Sequence, residues 1–346
     1  MIMFNTLRTL ILSCILSLTA SFAFSQSNSK VVAKAGDGIY LLLRRHGLDP
    51  TQHLQAFMEL NKKNIGQDNS LYAGRTYFLP SGSAGAAEKT TVKAATAPSV
   101  LEVPLFGEDY ARVEILDREL QGAVYYLMAG HSGPDPGAVG KYGPYMLSED
   151  EYAYDVTVRL ARRLMEHGAT VYMIIQDPDD GIRDENILKM DRDELSYSGK
   201  PIPYDHNKRL RQRVNEVNKL YLQHQNDYQR MLSVHVDSRS KSQNIDVFFY
   251  HHENSPSGQA LAERIHEVFT NKYNRYQPNR DYYGSVSPRS SLYVVKYSNP
   301  PTVFVELGNI RNDKDQRRFV IPNNRQALAN WICDGIMADY KASKEK

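Results

Sequence analysis

Three residues interrupt apolar runs at places where chemistry is expected. His131 leaves the run AVYYLMA at 123–129 and enters GHSGPDPGAVG at 130–140, where Gly130, Gly133 and Gly137 let the backbone turn tightly. His235 sits between Val234 and Val236 in SVHVDS, and strand alternation sends its side chain away from theirs. Glu306 ends the apolar run in VFVELGN at 303–309, just before Gly308. A carboxylate buried there is costly unless it is paired, metal-bound or held protonated. Each position is ambiguous alone, since a histidine in a strand can simply be packed with a satisfied hydrogen bond. Together, two histidines and carboxylates at strand or helix ends are the donors of a hydrolytic zinc centre of the His2Glu type. Zinc lowers the pKa of a bound water toward ~7 and polarises a carbonyl. A separate carboxylate must then carry the water's proton to the leaving nitrogen.

Such residues need strands and helices to converge them. From Ala123 onward the pattern alternates. Strand-type runs lie at 123–129, 169–175, 231–236, 246–250 and 302–308. Helical spacing is read at 154–166, 209–222, 258–273 and 323–340. Alternation of this kind predicts an α/β domain, a mixed central sheet flanked by helices, over residues 121–342. Sites in such sheets lie where loops converge at strand ends.

The rest of the 346-residue chain reads differently. Arg8, an apolar run at 10–20 and Ala23-Phe24-Ser25 make a signal peptide over 1–25, cleaved after Ser25. The run is shorter than the ~20 residues of a membrane span, so no stable insertion is expected after cleavage. Cleavage removes Cys14 and leaves Cys333 alone, so no intrachain disulfide is expected. It also removes Arg8 from the 42 basic residues, leaving 41 against 40 acidic. That balance argues against a nucleic-acid partner, which wants a basic excess. Residues 31–80 read as strand, helix, helix, strand, and SGSAGAAEKTTVKAATAPSV at 81–100 reads as a flexible linker.

AGHSGPDPGAVG at 129–140 resembles the first zinc motif of the zinc-dependent N-acetylmuramoyl-L-alanine amidases, which are cell-wall hydrolases. LSEDEYAYDVTVRLARRL at 147–164 resembles the helix of their second ligand. SVHVDS resembles the third motif, preceded by the matching helix LRQRVNEVN at 210–218, and VFVELGNIRNDKD the catalytic-glutamate motif. The resemblance implies that His131 and His235 are zinc ligands and that Glu306 is the catalytic carboxylate. Helix register places the remaining ligand at Glu149, with Glu151 two positions on as the alternative. The substrate implied is peptidoglycan, cut between N-acetylmuramic acid and L-alanine by an exported enzyme, either of the periplasm or cell envelope or secreted. An activator protein is left unassigned. In the N-terminal block, AGDGIYLLLRRHGL, ELN and LYAGRTYFLP resemble the LysM module, which implies recognition of N-acetylglucosamine-containing chains. The alternative there is a small packing domain without a ligand.

Two segments depart from the amidase pattern. Residues 176–206 are long and heavily charged, and charge runs usually form solvated surface. A cleft wall or a regulatory segment is the sharper alternative. SRSKSQ at 238–243 is short where some members carry a long inhibitory insertion. His251 and His252 point to opposite faces of a strand and are read as rim residues. Competing functions are a zinc exopeptidase or deacylase on the same scaffold, or a wall-binding protein without catalysis.

Overall fold

The structure is a computed structural model that describes residues 29–34, 39–46, 48, 50–66, 71–80 and 100–345. The expected signal peptide and residues 81–99 of the expected linker lie outside the described residues. In the N-terminal block, β1 (Lys30–Val32), α1 (Ile39–Arg45), α2 (Pro50–Asn61) and β2 (Thr76–Phe78) follow one another. β1 and β2 pair antiparallel, with Val31 opposite Tyr77. Ile39, Leu42, Leu43 and Phe57 close a small core on them.

Where the composition extends the linker to residue 100, a strand begins: β3 (Val100–Glu102) forms a hairpin with β4 (Arg112–Glu114). Phe106, Tyr110 and Val113 then join the main core, so that core begins upstream of residue 121. The chain continues through β5 (Ala123–Ala129), the hairpin β6 (Val139–Tyr142) and β7 (Tyr145–Ser148), α3 (Glu149–Glu166) and β8 (Thr170–Met173). Next come the short pair β9 (Ile175–Gln176) and β10 (Leu195–Ser196), then α4 (His206–Gln223), β11 (Tyr228–Asp237) and β12 (Phe248–His251). α5 (Pro256–Tyr276), β13 (Ser285–Pro288), α6 (Tyr293–Tyr297), β14 (Thr302–Asn309), α7 (Asp313–Val320) and α8 (Pro322–Lys344) complete it.

Six strands form one mixed sheet in the order β13-β12-β14-β11-β5-β8. β14, β11, β5 and β8 run parallel, and β12 joins β14 antiparallel. The sheet is covered on both faces, which is why β5 and β14 read as near-continuous apolar runs. Leu127, Val234 and Val305 face the core under α3, α5 and α8. Tyr126, Met231 and Phe304 face the opposite core under α4 and α6. The mixed sheet flanked by helices is thus the architecture expected. Among the described residues, no helix is long and apolar enough to cross a membrane.

Two differences bear on the site. α3 starts at Glu149, five residues before the apolar stripe that marks it in the sequence. Its first turn carries Glu149, Asp150 and Glu151, whose charges suit the positive end of a helix dipole, and all three are buried. Residues 176–206 are also not a solvated excursion. Buried Arg325 of α8 pairs with Asp155 of α3 and donates to the carbonyls of Arg183 and Glu185, each at 2.8 Å. Arg159 of α3 also pairs with Asp184 of the segment at 3.0 Å, so an ion pair as well as carbonyl contacts holds the segment against the helices. Its inner side chains, Ile182, Leu188 and Ile202, are buried.

Candidate active site

His131, Glu149 and His235 converge at the carboxyl ends of β5 and β11. Their ligand atoms all lie within 4.8 Å of one another. His131 is the second residue after β5 and opens three consecutive residues with positive φ, through Ser132 and Gly133. A left-handed backbone is uncommon for a residue with a side chain, and such strain concentrates at functional sites. The loop is tied from outside. Glu194, in the charged segment, accepts from the Gly133 N–H at 2.7 Å. Ile202 packs so closely on Gly133 that a Cβ there would lie 2.8 Å from it. The charged segment therefore buttresses the histidine loop, closer to the sharper alternative than to a solvated face.

Glu149 is the first residue of α3 and lies between the two rings. One carboxylate oxygen is 3.3 Å from His131 Nε2 and accepts from the Ala138 N–H at 2.9 Å. The other is 2.9 Å from His235 Nδ1 and accepts from the Val236 N–H at 3.1 Å. Glu151 faces elsewhere, taking Arg183 at 2.8 Å and the Asp191 N–H at 3.0 Å. The helix register of the sequence thus brings Glu149, not Glu151, to the histidines.

Each histidine spends its second nitrogen on an orienting group. His131 Nδ1 lies 3.0 Å from Asp135, whose carboxylate is also paired with Arg209 of α4. His235 Nε2 lies 3.1 Å from the Ser233 hydroxyl, and the ring stacks on Phe304 with centroids 4.0 Å apart. Gly130 is required here because a Cβ at that position would stand 2.3 Å from His235 Nδ1. Asp135, Ser233 and Phe304 were not singled out from the sequence. Asp135 alone left a signal there, as an acid four residues after a loop histidine.

Glu306 of β14 stands directly opposite His235 of β11 in the parallel register, so both point to the same face of the sheet. It is buried, and its Oε2 has no hydrogen-bond partner. Burial raises its pKa well above the ordinary carboxylate value, and the charges of Glu149 and Asp237 add to that. Burial also raises Glu149, but the hydrogen bonds and charges of the two histidines outweigh it and hold its carboxyl well below the usual range. For His131 burial acts downward, and the hydrogen bonds to Asp135 and Glu149 override it, raising the imidazole to about 10. Burial keeps His235 below its ordinary value. These four groups line one open cleft of about 650 Å³. His251 lies outside it, buried at the end of β12 with Nδ1 on the His252 carbonyl, so it is a packed residue and not part of a rim.

A buried glutamate between two oriented histidines, with an unpartnered acid beside them at a sheet's carboxyl end, is the layout of a hydrolase. The family model of N-acetylmuramoyl-L-alanine amidases matches residues 126–338, more than half of the chain. The chain belongs to the N-acetylmuramoyl-L-alanine amidase family, the enzymes that hydrolyse the muramic acid–alanine amide of peptidoglycan. It is 24% identical to the uncharacterized protein YqiI of Bacillus subtilis over 222 residues, 64% of this chain and 86% of that protein. It is 25% identical over 228 residues to the probable cell wall amidase LytH of Staphylococcus aureus, spanning 64% of this chain and 60% of LytH. Among solved structures it resembles the CwlD amidase of Clostridioides difficile, determined with the GerS lipoprotein. That likeness has a TM-score of 0.47 at 21% identity and covers 63% of this chain and 98% of CwlD.

Proposed function

We propose that His131, Glu149 and His235 hold a zinc ion and that this chain uses it to cut the amide between N-acetylmuramic acid and L-alanine. The single observation that carries the reading is the pairing of that donor triad with Glu306, a buried acid with one oxygen unspent. The donors fit the ion: two imidazole nitrogens and a carboxylate converge, and each histidine is fixed through its other nitrogen. When bound, zinc would polarise the amide carbonyl and make water a nucleophile near neutral pH. Glu306 takes the proton of the attacking water and returns it to the leaving alanine nitrogen. Asp135, Arg209 and Phe304 keep the histidines in place while the proton moves.

We read the N-terminal block as a LysM-like glycan anchor and the chain as exported, with Gln26 as the mature N-terminus. Digestion of purified peptidoglycan by the mature, zinc-loaded chain is expected to release free stem peptides that begin with L-alanine. Peptides cut elsewhere in the stem would favour the exopeptidase reading. Wall that is bound but uncut by zinc-loaded protein would favour the binding protein. Removing residues 31–80 is expected to leave the same bond cut, with less protein sedimenting with the wall.

Metal uptake should be linked to pH. Without metal, His131 holds a proton at pH 7, because the neighbouring carboxylates raise it to about 10. A cation must displace that proton, whereas His235, lowered by burial, has none to give. Zinc binding at pH 7 is therefore expected to release at least one proton, that of His131, and affinity to rise with pH while His131 stays protonated. Calorimetry in buffers of different ionisation heat reads this directly. Release near zero would refute the link.

A further inference from the structure

We propose that Arg289 is a specificity-determining residue that binds the free α-carboxylate of the second stem residue, D-isoglutamate, next to the scissile amide. This rests on the amidase reading above and goes beyond it by assigning a substrate contact on the leaving-group side.

The arginines around the cleft differ in what they already hold. Arg209 is paired with Asp135 and donates to the Tyr204 carbonyl. Arg213 donates to the Ala129 carbonyl at 3.4 Å, and its Nε and Nη2, though without partners, are sealed from solvent. Arg239 is paired with Asp237 at 2.7 Å. Arg289 is exposed and lines the same cleft as Glu306. Among the described residues it has no ion pair or side-chain hydrogen bond. It lies over the Tyr250 ring, 5.1 Å from the centroid. Its backbone is anchored by the Arg289 N–H to the His251 carbonyl at 2.9 Å. A guanidinium held by an aromatic face keeps its planar fork of donors free, the geometry that takes a carboxylate in two parallel bonds.

Its position says which part of the substrate it meets. Glu306 returns a proton to the leaving nitrogen, so the peptide departs on the Glu306 side. Tyr250 is on β12, the strand that pairs with β14 and sets Phe248 opposite Glu306 and itself opposite Phe304. The charge of Arg289 reaches Glu306, where it works against the upward shift from burial. In the departing peptide the next residue is joined through its γ-carboxyl. Its α-carboxylate therefore hangs free, ~7 Å from the scissile nitrogen in an extended chain. Arg289 is the cation on that side with donors to spare.

The test uses the mature, zinc-loaded chain and two substrates, N-acetylmuramoyl-L-alanyl-D-glutamate with its γ-carboxyl blocked as methylamide. One carries the α-carboxyl free and the other carries it as the carboxamide. Wild type is expected to prefer the carboxylate by ~10–100-fold in kcat/KM, mostly through KM, as the loss of a charged hydrogen-bond pair predicts. Arg289→Ala is expected to bring that ratio within about threefold of one, and Arg289→Lys to restore part of it, as a charge without the fork would. A wild-type ratio near one would overturn the subsite while leaving the amidase reading intact. So would an unchanged ratio in Arg289→Ala, with both substrates slowed equally. Wild type that cleaves neither substrate would overturn the subsite as stated, and the amidase reading with it if peptidoglycan also releases no stem peptides that begin with L-alanine.

Discussion

Glu306→Gln is expected to lower kcat by ~10²–10⁴-fold, the usual worth of a positioned proton carrier, with KM and zinc content near wild type. The substitution keeps the shape of the side chain and removes its ability to take a proton. Glu306 is not part of the converging triad, so the metal donors stay in place. A second consequence follows from its burial. The native carboxyl is raised well above its ordinary value, so folding favours the protonated acid. The metal-free protein therefore loses stability as pH rises above the ordinary carboxylate pKa, and the loss grows until the raised pKa is passed. An amide at this position carries no such cost. At neutral pH the metal-free Glu306→Gln variant is thus expected to melt higher than wild type, the exchange of stability for activity that functional sites show. Full turnover in this variant would sink the assignment of Glu306. A variant that is both inactive and short of zinc would instead place it among the ligands.

Glu149→Ala and Glu151→Ala are expected to fail in different ways. Glu149 supplies the only carboxylate of the triad, and both its oxygens face the histidines. Its removal should take zinc from about one per chain to near none at micromolar metal, and abolish amide hydrolysis. Glu151 faces Arg183, with only 2% and 13% of the two side chains exposed. Its loss leaves that guanidinium short of a partner and should cost roughly 3 kcal/mol of stability, while zinc binds as before. Metal analysis of both proteins after gel filtration, with thermal melts, separates the two roles. Zinc retained by Glu149→Ala and lost by Glu151→Ala would reverse the assignment.

Much of this could be read without coordinates because the signals are local. His131 stands out through the apolar run before it and the glycines around it. Glu306 stands out as an acid at the end of an apolar strand. Period-two and period-3.6 patterns mark the strands and helices that carry them. Harder were residues whose meaning depends on a distant neighbour. Asp135 matters because α4 brings Arg209 to it, 74 residues away. Phe304 looks like an ordinary strand residue until His235, far back in the chain, stacks on it, whereas Ser233 meets His235 from only two positions away. The charged segment at 176–206 looked solvated because charge density says nothing of pairing. Its backbone carbonyls are held by Arg159 and Arg325, and Glu194 grips the histidine loop.

The sequence by itself determined the alternating architecture, the two histidines, the acid at the end of β14 and the family they resemble. Those properties follow from side-chain type and short-range spacing, which a linear string contains in full. Only the tertiary structure showed Glu149, and not Glu151, lying against the two histidines, and only it placed Arg289 in the cleft with its donors free. Both depend on where a helix or strand end is set against elements far along the chain. Residues two apart on a helix differ by about 200° in direction, so packing sets which of the two meets the histidines.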